Sequence, residues 1–438
     1  MLERTTRLTL ITLFAATTWA CSGPEQDPPE EDTGAREDGG VEADAGEDVG
    51  EDDAGGDASA DVGADAEDYI ELSERPWDVT VMGDYWIGYD TDSITYIEEP
   101  DGNERTIKVV YWYPSRRTTG GGVARYSDIL FRRPSDESVR VRRGLELARE
   151  DGPFPLLIFS HGNAGLAEQN YFMTEHFASH GWVVASVEHT NNSISDTDGS
   201  INFRSAIDRP QDMSALLDWI EGLPAGHILK DTTTDDVVMS GHSFGGLTTL
   251  ANAGAAFPVE NLEGACQREE LDRRICELFN GDEDIAALFS EGFLDARIKV
   301  AIPQAPASGQ IYQEGTSAIT MPTLMFTGGL DRSLPNEEDG DVLWDAMVGA
   351  QHMRVDVLRG GHFTFSNMCD ILPGIELVRT DGCAPEFIDP PIAYGLINHY
   401  SLAFSRYHLF GDEEDLALLT GEVQPYSDEV VVSRKTAE

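Results

Sequence analysis

The residues that most plainly could do chemistry in this chain are Gly241-His242-Ser243-Phe244-Gly245-Gly246. A serine hydroxyl is a weak nucleophile unless a base activates it and the backbone holds it exposed. Gly-x-Ser-x-Gly does the second when it forms a tight turn from a strand into a helix. The apolar Val237–Met239 precedes the motif and a helical run begins near Leu247, which is that setting. Such a turn strains the backbone at the serine, so Gly241 and Gly245 leave room where its flanks pack closely. The helix N-terminus behind Ser243 points N–H groups at the negative charge that develops in acyl transfer. The plain alternative is a glycine-rich strand–helix turn with an incidental serine.

A nucleophile of this kind needs a base and an acid to orient it. Ten histidines compete for the first role. His362 lies between Gly361 and Phe363, directly after the apolar strand Arg354–Leu358. His242 adjoins the serine, but the turn should aim it away. His161 belongs to another turn, and His352 precedes the last strand instead of following it. For the acid, Asp331 follows the apolar run Thr323–Gly329. Glu337, Glu338, Asp339 and Asp341 lie deeper in a charged loop and read as a solvated run. Ser243, Asp331 and His362 therefore form a nucleophile–acid–base order. His362 would take the serine proton and return it to the leaving alcohol. Asp331 would hold the imidazole tautomer and stabilise its charged form.

These three residues need strands that deliver them to one edge. Phe154–Ser160 is a continuous apolar run, as expected of a strand buried on both faces. A helix is expected over Leu166–His180, a strand over Trp182–Val187, and a helix from Arg209-Pro210-Gln211-Asp212 to about Glu221. The strand before Ser243 follows, then strands at Ile298–Pro303 and 323–329. This alternation predicts an α/β fold with a mostly parallel sheet covered by helices on both faces. Ligands bind such sheets at the C-terminal ends of the strands. Upstream, Ser93–Ile97 and Thr106–Tyr113 alternate around the turn Glu99–Asn103, giving an N-terminal antiparallel hairpin. Residues 119–152 read as a loop with a short helix at Val139–Arg149. Residues 258–295 interrupt the alternation and read as a helical insertion capping the site. A helix at about Ala393–His408 closes the domain.

The chain's first 75 residues are of another kind. Residues 1–20 carry Arg4 and Arg7, then an apolar run from Leu8 to Ala16, and read as an export signal. Thr18-Trp19-Ala20-Cys21 resembles a bacterial lipobox, which implies that Cys21 becomes a lipidated N-terminus. Ser22 after it would suit the outer membrane. From Ser22 to Arg75 there are 21 acidic residues against two arginines. That composition cannot bury enough apolar surface to order itself, so residues 21–75 read as an acidic tether and 76–438 as the folded domain. The net charge of −50 argues against nucleic-acid or anionic-lipid partners. Membrane attachment would then come only through the lipid. Besides Cys21 there are Cys266, Cys276, Cys369 and Cys383. An even number in an exported domain suggests disulfides, and pairing 266–276 with 369–383 is the simplest of three connectivities. Their spacing does not suit a metal site.

The motifs GHSFGG, SHGNAG, RPQDM, AIPQAPA, TLMFTGGLDRSLP and GGHFTFSNMCD, spread over about 77–410, resemble bacterial dienelactone-hydrolase-like esterases. These are related to platelet-activating-factor acetylhydrolases and polyester hydrolases. The resemblance implies an α/β-hydrolase fold and serine carboxylester hydrolysis without metal or organic cofactor, on a small-molecule or lipid-like ester. It implies an oxyanion hole from the backbone N–H groups of Asn163 and Phe244. It also suggests that Cys369 and Cys383 steady the histidine loop. Eukaryotic acetylhydrolases carry the acid after the strand following the elbow, where this chain has Pro303-Gln304-Ala305-Pro306. The acid position therefore falls on Asp331, as in polyester hydrolases. True dienelactone hydrolases use cysteine where this chain has Ser243. Two other classes share these features: a non-catalytic surface lipoprotein that keeps the scaffold, and a serine peptidase or amidase.

Overall fold

A computed structural model describes residues 70–73, 77–124, 126, 140–197, 199–269, 271, 273–278 and 283–436. The export signal, Cys21 and most of the acidic tether lie outside the described residues.

Strands form wherever apolar runs alternate or persist, and they join one ten-stranded sheet. In chain order they are β1 (Trp86–Ile97), β2 (Glu104–Ser115), β3 (Val141–Arg143), β4 (Phe154–Ser160) and β5 (Val183–Glu188). Then come β6 (Thr233–His242), β7 (Ile298–Gln304), β8 (Thr323–Gly328), β9 (His352–Val357) and β10 (Val430–Arg434). Their spatial order is β10-β9-β8-β7-β6-β4-β5-β2-β1-β3. The run from β5 through β4, β6, β7 and β8 to β9 is parallel throughout. The expected hairpin is β1 against β2, antiparallel from Trp86↔Ser115 to Ile97↔Glu104.

Alternate residues of the central strands feed two cores, as a sheet buried on both faces requires. Leu157, Val184 and Val238 pack with Met173 and Phe177 of helix α1 (Tyr171–Ser179) and with Leu396 and Tyr400 of the C-terminal helix Pro390–Phe410. Leu156, Ile158 and Met239 pack with Met213 and Leu216 of helix α2 (Ser205–Glu221). This is the α/β-hydrolase arrangement, with helices on both faces and an antiparallel hairpin at one side.

Four expectations change. Helix α1 begins at Tyr171, not Leu166, because residues 161–170 are taken up by turns beside the serine. Helix α2 begins at Ser205, with Pro210 inside it. Backbone bonds from Ser205, Ala206 and Ile207 to the carbonyls of Asn202, Phe203 and Arg204 start the helix before the proline that reads as its first turn. The described part of Val139–Arg149 holds no α-helix: Val141–Arg143 pairs with β1, and Arg149–Asp151 is a single 3₁₀ turn. The strand at 352–357 is not the last, since β10 adds an antiparallel edge beside it. The insertion is helical, as α4 (Val259–Gln267), α5 (Arg273–Leu278) and α6 (Glu283–Glu291). Its Leu262, Ile275 and Phe289 pack into a cluster with Leu247, Tyr312 and Phe244, so it abuts the residue after the serine without a described contact to Ser243 itself.

Candidate active site

Ser243 stands between β6 and helix α3 (Phe244–Asn252) with φ 58° and ψ −118°. That conformation costs an L-residue about 1–3 kcal/mol, so the surroundings must impose it. They do so by close approach. A Cβ on Gly241 would lie 2.2 Å from the Gly245 carbonyl oxygen, and one on Gly245 would lie 1.9 Å from that of Ser160. The Ser243 N–H donates to the Gln304 carbonyl at 2.9 Å, and the Ala307 N–H donates back to the Ser243 carbonyl at 3.1 Å. The Gln304 side chain is itself held by Ser240 and Asn170. Gln304, at the end of β7, is thus a site-forming residue whose role the sequence pattern did not disclose.

The structure brings the three expected residues together. His362 Nε2 lies 2.9 Å from Ser243 Oγ, and its Nδ1 lies 2.8 Å from Asp331 Oδ2. Asp331 Oδ1 also accepts the Leu334 N–H at 2.7 Å. The residues follow β6, β8 and β9, so all three meet at the C-terminal edge of the parallel strands. His362 and Asp331 are buried, while Ser243 is half-buried. Burial alone would lower the His362 pKa; the adjacent Asp331 charge and hydrogen bond outweigh it and raise it above its ordinary value.

Three further side chains hold this arrangement, and sequence reasoning missed all of them. His242 is not idle. Its Nε2–H donates to the His362 carbonyl at 2.9 Å, and its Nδ1 accepts the Gln169 side-chain amide at 2.8 Å. Burial holds its pKa well below the ordinary value, so the ring is neutral and can make both bonds. Gln169 Oε1 in turn accepts the Gly162 N–H at 3.0 Å. Asp381 accepts the N–H groups of His362, Arg332 and Ser333 and the Ser333 hydroxyl. It therefore ties the base loop to the acid loop. It lies in the segment closed by the Cys369–Cys383 disulfide, and that pairing was the one available clue. Cys266–Cys276 is the second disulfide, so both local pairings are present. Asp339 and Asp341 are not part of a solvated run: Asp339 is buried and accepts the Ser308 and Gly309 N–H groups, and Asp341 pairs with Arg354.

Asn163 follows Gly162 in the loop after β4, and Phe244 follows Ser243 at the start of α3. A Cβ on Gly162 would lie 3.4 Å from Ser243 Cβ, which places this loop against the serine. Among the described residues, neither the Asn163 nor the Phe244 backbone N–H has an acceptor.

A second Ser–His–Asp set also exists. Ser160 Oγ lies 2.8 Å from His189 Nε2, whose Nδ1 lies 2.8 Å from Asp212 Oδ2. All three residues are 0% exposed, so no substrate reaches them. Burial lowers His189 to about 4. Cavities of about 310 and 300 Å³ lie elsewhere, beside Arg105 and Arg204 and beside Trp77 and Trp182 respectively; neither borders Ser243. Among the described residues no His, Cys, Asp and Glu cluster is arranged to hold a metal ion.

A profile of the family "platelet-activating factor acetylhydrolase, isoform II" matches residues 126–214, a stretch that holds β3, β4, α1, β5 and the first part of α2. Among solved structures, ferulic acid esterase from Streptomyces cinnamoneus is similar at 19% identity and a TM-score of 0.55, covering 80% of this chain and 96% of that one. No curated protein matches the sequence. These similarities and the sheet order define the fold as that of the α/β-hydrolases.

Proposed function

We propose that this protein is a serine carboxylester hydrolase working through an acyl-enzyme. The observation that carries the proposal is the pair of hydrogen bonds from His362 to Ser243 and Asp331, at a strained serine beside two N–H groups without acceptors. His362 takes the Ser243 proton as Oγ bonds to the ester carbonyl carbon. The carbonyl π electrons move onto oxygen, which the Asn163 and Phe244 N–H groups stabilise. Collapse expels the alcohol oxygen, which takes the proton back from His362. Water then attacks the acyl-enzyme with His362 again as base, releasing the acid and restoring Ser243. The similarities to an acetylhydrolase family and to a ferulic acid esterase support ester bonds over amides. The substrate class is a small or lipid-like ester.

The same proposal includes export and attachment at a bacterial envelope through lipid on Cys21. Two disulfides fit an oxidising compartment. No helix of the described residues is long and apolar enough to cross a membrane. The test is hydrolysis of a chain-length series of p-nitrophenyl esters by the parent and by Ser243→Ala. Turnover by the parent with a loss of about 10⁴-fold or more in the variant is expected. Equal inertness of two folded proteins would refute the enzyme reading in favour of a binding scaffold.

A further inference from the structure

A buried arginine raises a question the triad does not answer. Arg209, on α2, is 0% exposed. Buried guanidinium groups normally meet a carboxylate, because an unpaired buried charge costs several kcal/mol. Arg209 has no carboxylate within salt-bridge distance among the described residues. The nearby Asp212 is taken by Arg105, Tyr96 and His189. Its contacts are with neutral groups: the carbonyls of His161 and Gly162, the side chain of Asn192 and, at 3.5 Å, the His161 ring Nδ1. Its Nε has no partner. Burial lowers its pKa to about 9, which leaves it charged at neutral pH.

Those acceptors decide where the neighbouring N–H groups point. In a trans peptide the C=O and the following N–H point in opposite directions. The His161 carbonyl faces Arg209, and the opposed Gly162 N–H is spent on Gln169. The Gly162 carbonyl accepts both Arg209 Nη2 at 2.9 Å and the His161 Nδ1–H at 2.7 Å. The N–H of that same peptide unit is Asn163's, and it is therefore turned away from Arg209 and left without an acceptor. The guanidinium carbon also sits 4.9 Å from the centroid of the Phe244 ring. One side chain thus touches the Gly162–Asn163 peptide through its carbonyl and the ring of Phe244.

We infer that Arg209 is the positioning residue of the oxyanion hole, fixing the Asn163 and Phe244 donors from behind and adding to their field a positive charge that no salt bridge caps. The inference rests on the esterase reading. It accounts for a buried charge held without a salt-bridge partner, an arrangement that desolvation disfavours. It also names which N–H serves: Asn163's, because Gly162's is already committed. An oxyanion donor set left in place but mis-aimed loses transition-state stabilisation while ground-state binding survives.

The experiment compares Arg209→Met and Arg209→Lys with the parent on a p-nitrophenyl ester, recording kcat, KM, Tm and the inhibition constant of an aryl trifluoromethyl ketone. That ketone adds reversibly to Ser243 and places an oxyanion in the hole. For Arg209→Met, kcat is expected to fall about 10²-fold with KM within about threefold. Inhibition by the ketone should weaken by about the same factor, and Tm should fall by a few degrees, because the His161, Gly162 and Asn192 oxygens lose their donor. Arg209→Lys keeps the charge and loses the fork, so about a tenfold fall is expected, a partial rescue. If Arg209→Met does not fold, Arg209→Lys decides alone. A folded Arg209→Lys with parental kcat and parental ketone inhibition overturns the inference, as does a folded Arg209→Met of parental kcat. Either result, with an active parent, leaves the esterase reading standing. A parent without ester turnover overturns both.

Discussion

Asp381→Asn separates the base loop from the acid loop with the smallest change of shape. Oδ2 of Asp381 accepts the Ser333 N–H at 2.8 Å and the Ser333 hydroxyl at 2.7 Å; Oδ1 accepts the Arg332 N–H at 3.0 Å and the His362 N–H at 3.1 Å. An amide can keep only one of these two acceptors. With its oxygen toward His362, the new NH₂ faces the Ser333 N–H, a backbone donor left unpaired at about 1–3 kcal/mol. The Ser333 hydroxyl can rotate and costs little. The two retained bonds lose their charge assistance, about another 1 kcal/mol together. The sum is about 2–4 kcal/mol, or about 3–5 °C in Tm for a domain of this size. Activity should show a second signature. The Asp381 charge is among the groups that raise the His362 pKa. Removing it destabilises the imidazolium, so the pKa falls. Because the base must be neutral, the acid limb of kcat/KM moves to lower pH. The assay is kcat/KM from pH 4 to 9 beside thermal unfolding. An unmoved limb together with an unchanged Tm would refute the clamp, and a limb moved upward would refute the electrostatic part.

Two other substitutions test neighbouring groups. Ser160→Ala removes the hydroxyl of the buried Ser–His–Asp set; esterase kcat should stay within about twofold while stability falls by about 1–2 kcal/mol, and a large kcat loss in a folded variant would contradict the structural assignment. Asp339 is raised by burial to about 7 from 3.8, so its contribution to stability is full below the unfolded value near 3.8 and is lost as pH rises through about 7. Asp339→Asn keeps an acceptor for the Ser308 and Gly309 N–H groups and removes that loss. Its Tm should match the parent's near pH 4 and exceed it at pH 8, by about 2–4 kcal/mol in stability, and identical curves across that range would refute the assignment.

The sheet and its edge were legible because they rest on short-range patterns. Phe154–Ser160 and Thr323–Gly328 are apolar runs buried on both faces, and a run of that kind needs no distant information to be read. Ser243, Asp331 and His362 were legible for a related reason: each follows such a strand by a few residues, so placing the strands places the side chains. The strand β10 was missed because it is a short edge strand near the end of the chain, and its Val430–Val432 run is not flanked by the strand–helix alternation that marks the others. Pro210 misled because its helix is started upstream by turns that leave no compositional mark. The supporting residues were illegible for a deeper reason. His242, Asp381 and Arg209 act through bonds to backbone groups of other segments, and Gln169 joins the Gly162 N–H to the distant His242 ring; neither a period nor a spacing encodes such bonds. His242 shows this most sharply, since adjacency to the serine suggested a side chain turned away, while its ring holds His362 through a carbonyl 120 residues on.

The two Ser–His–Asp sets show that residue identity and hydrogen-bond distance do not make a catalytic site. Both have a serine oxygen within 2.9 Å of a histidine Nε2 and an aspartate oxygen 2.8 Å from its Nδ1. They differ in what surrounds the imidazole. His189 is lowered to about 4 chiefly by burial, and then by the positive charge of Arg209, while the Asp212 carboxylate that could compensate is shared with Arg105. His362 is as deeply enclosed, yet its aspartate has no arginine competing for it among the described ion pairs, and its pKa rises. A base must accept a proton in the transition state, and only the second imidazole is poised to do so. The same arginine that helps silence His189 turns the Gly162 and His161 carbonyls inward and so leaves the Asn163 N–H free beside Ser243. One buried charge therefore acts against protonation at the inner histidine and for an oxyanion at the outer serine. Its removal should affect the two sites in opposite senses: Arg209→Met raises the pKa of His189, readable by NMR titration of its ring, while it lowers ester turnover.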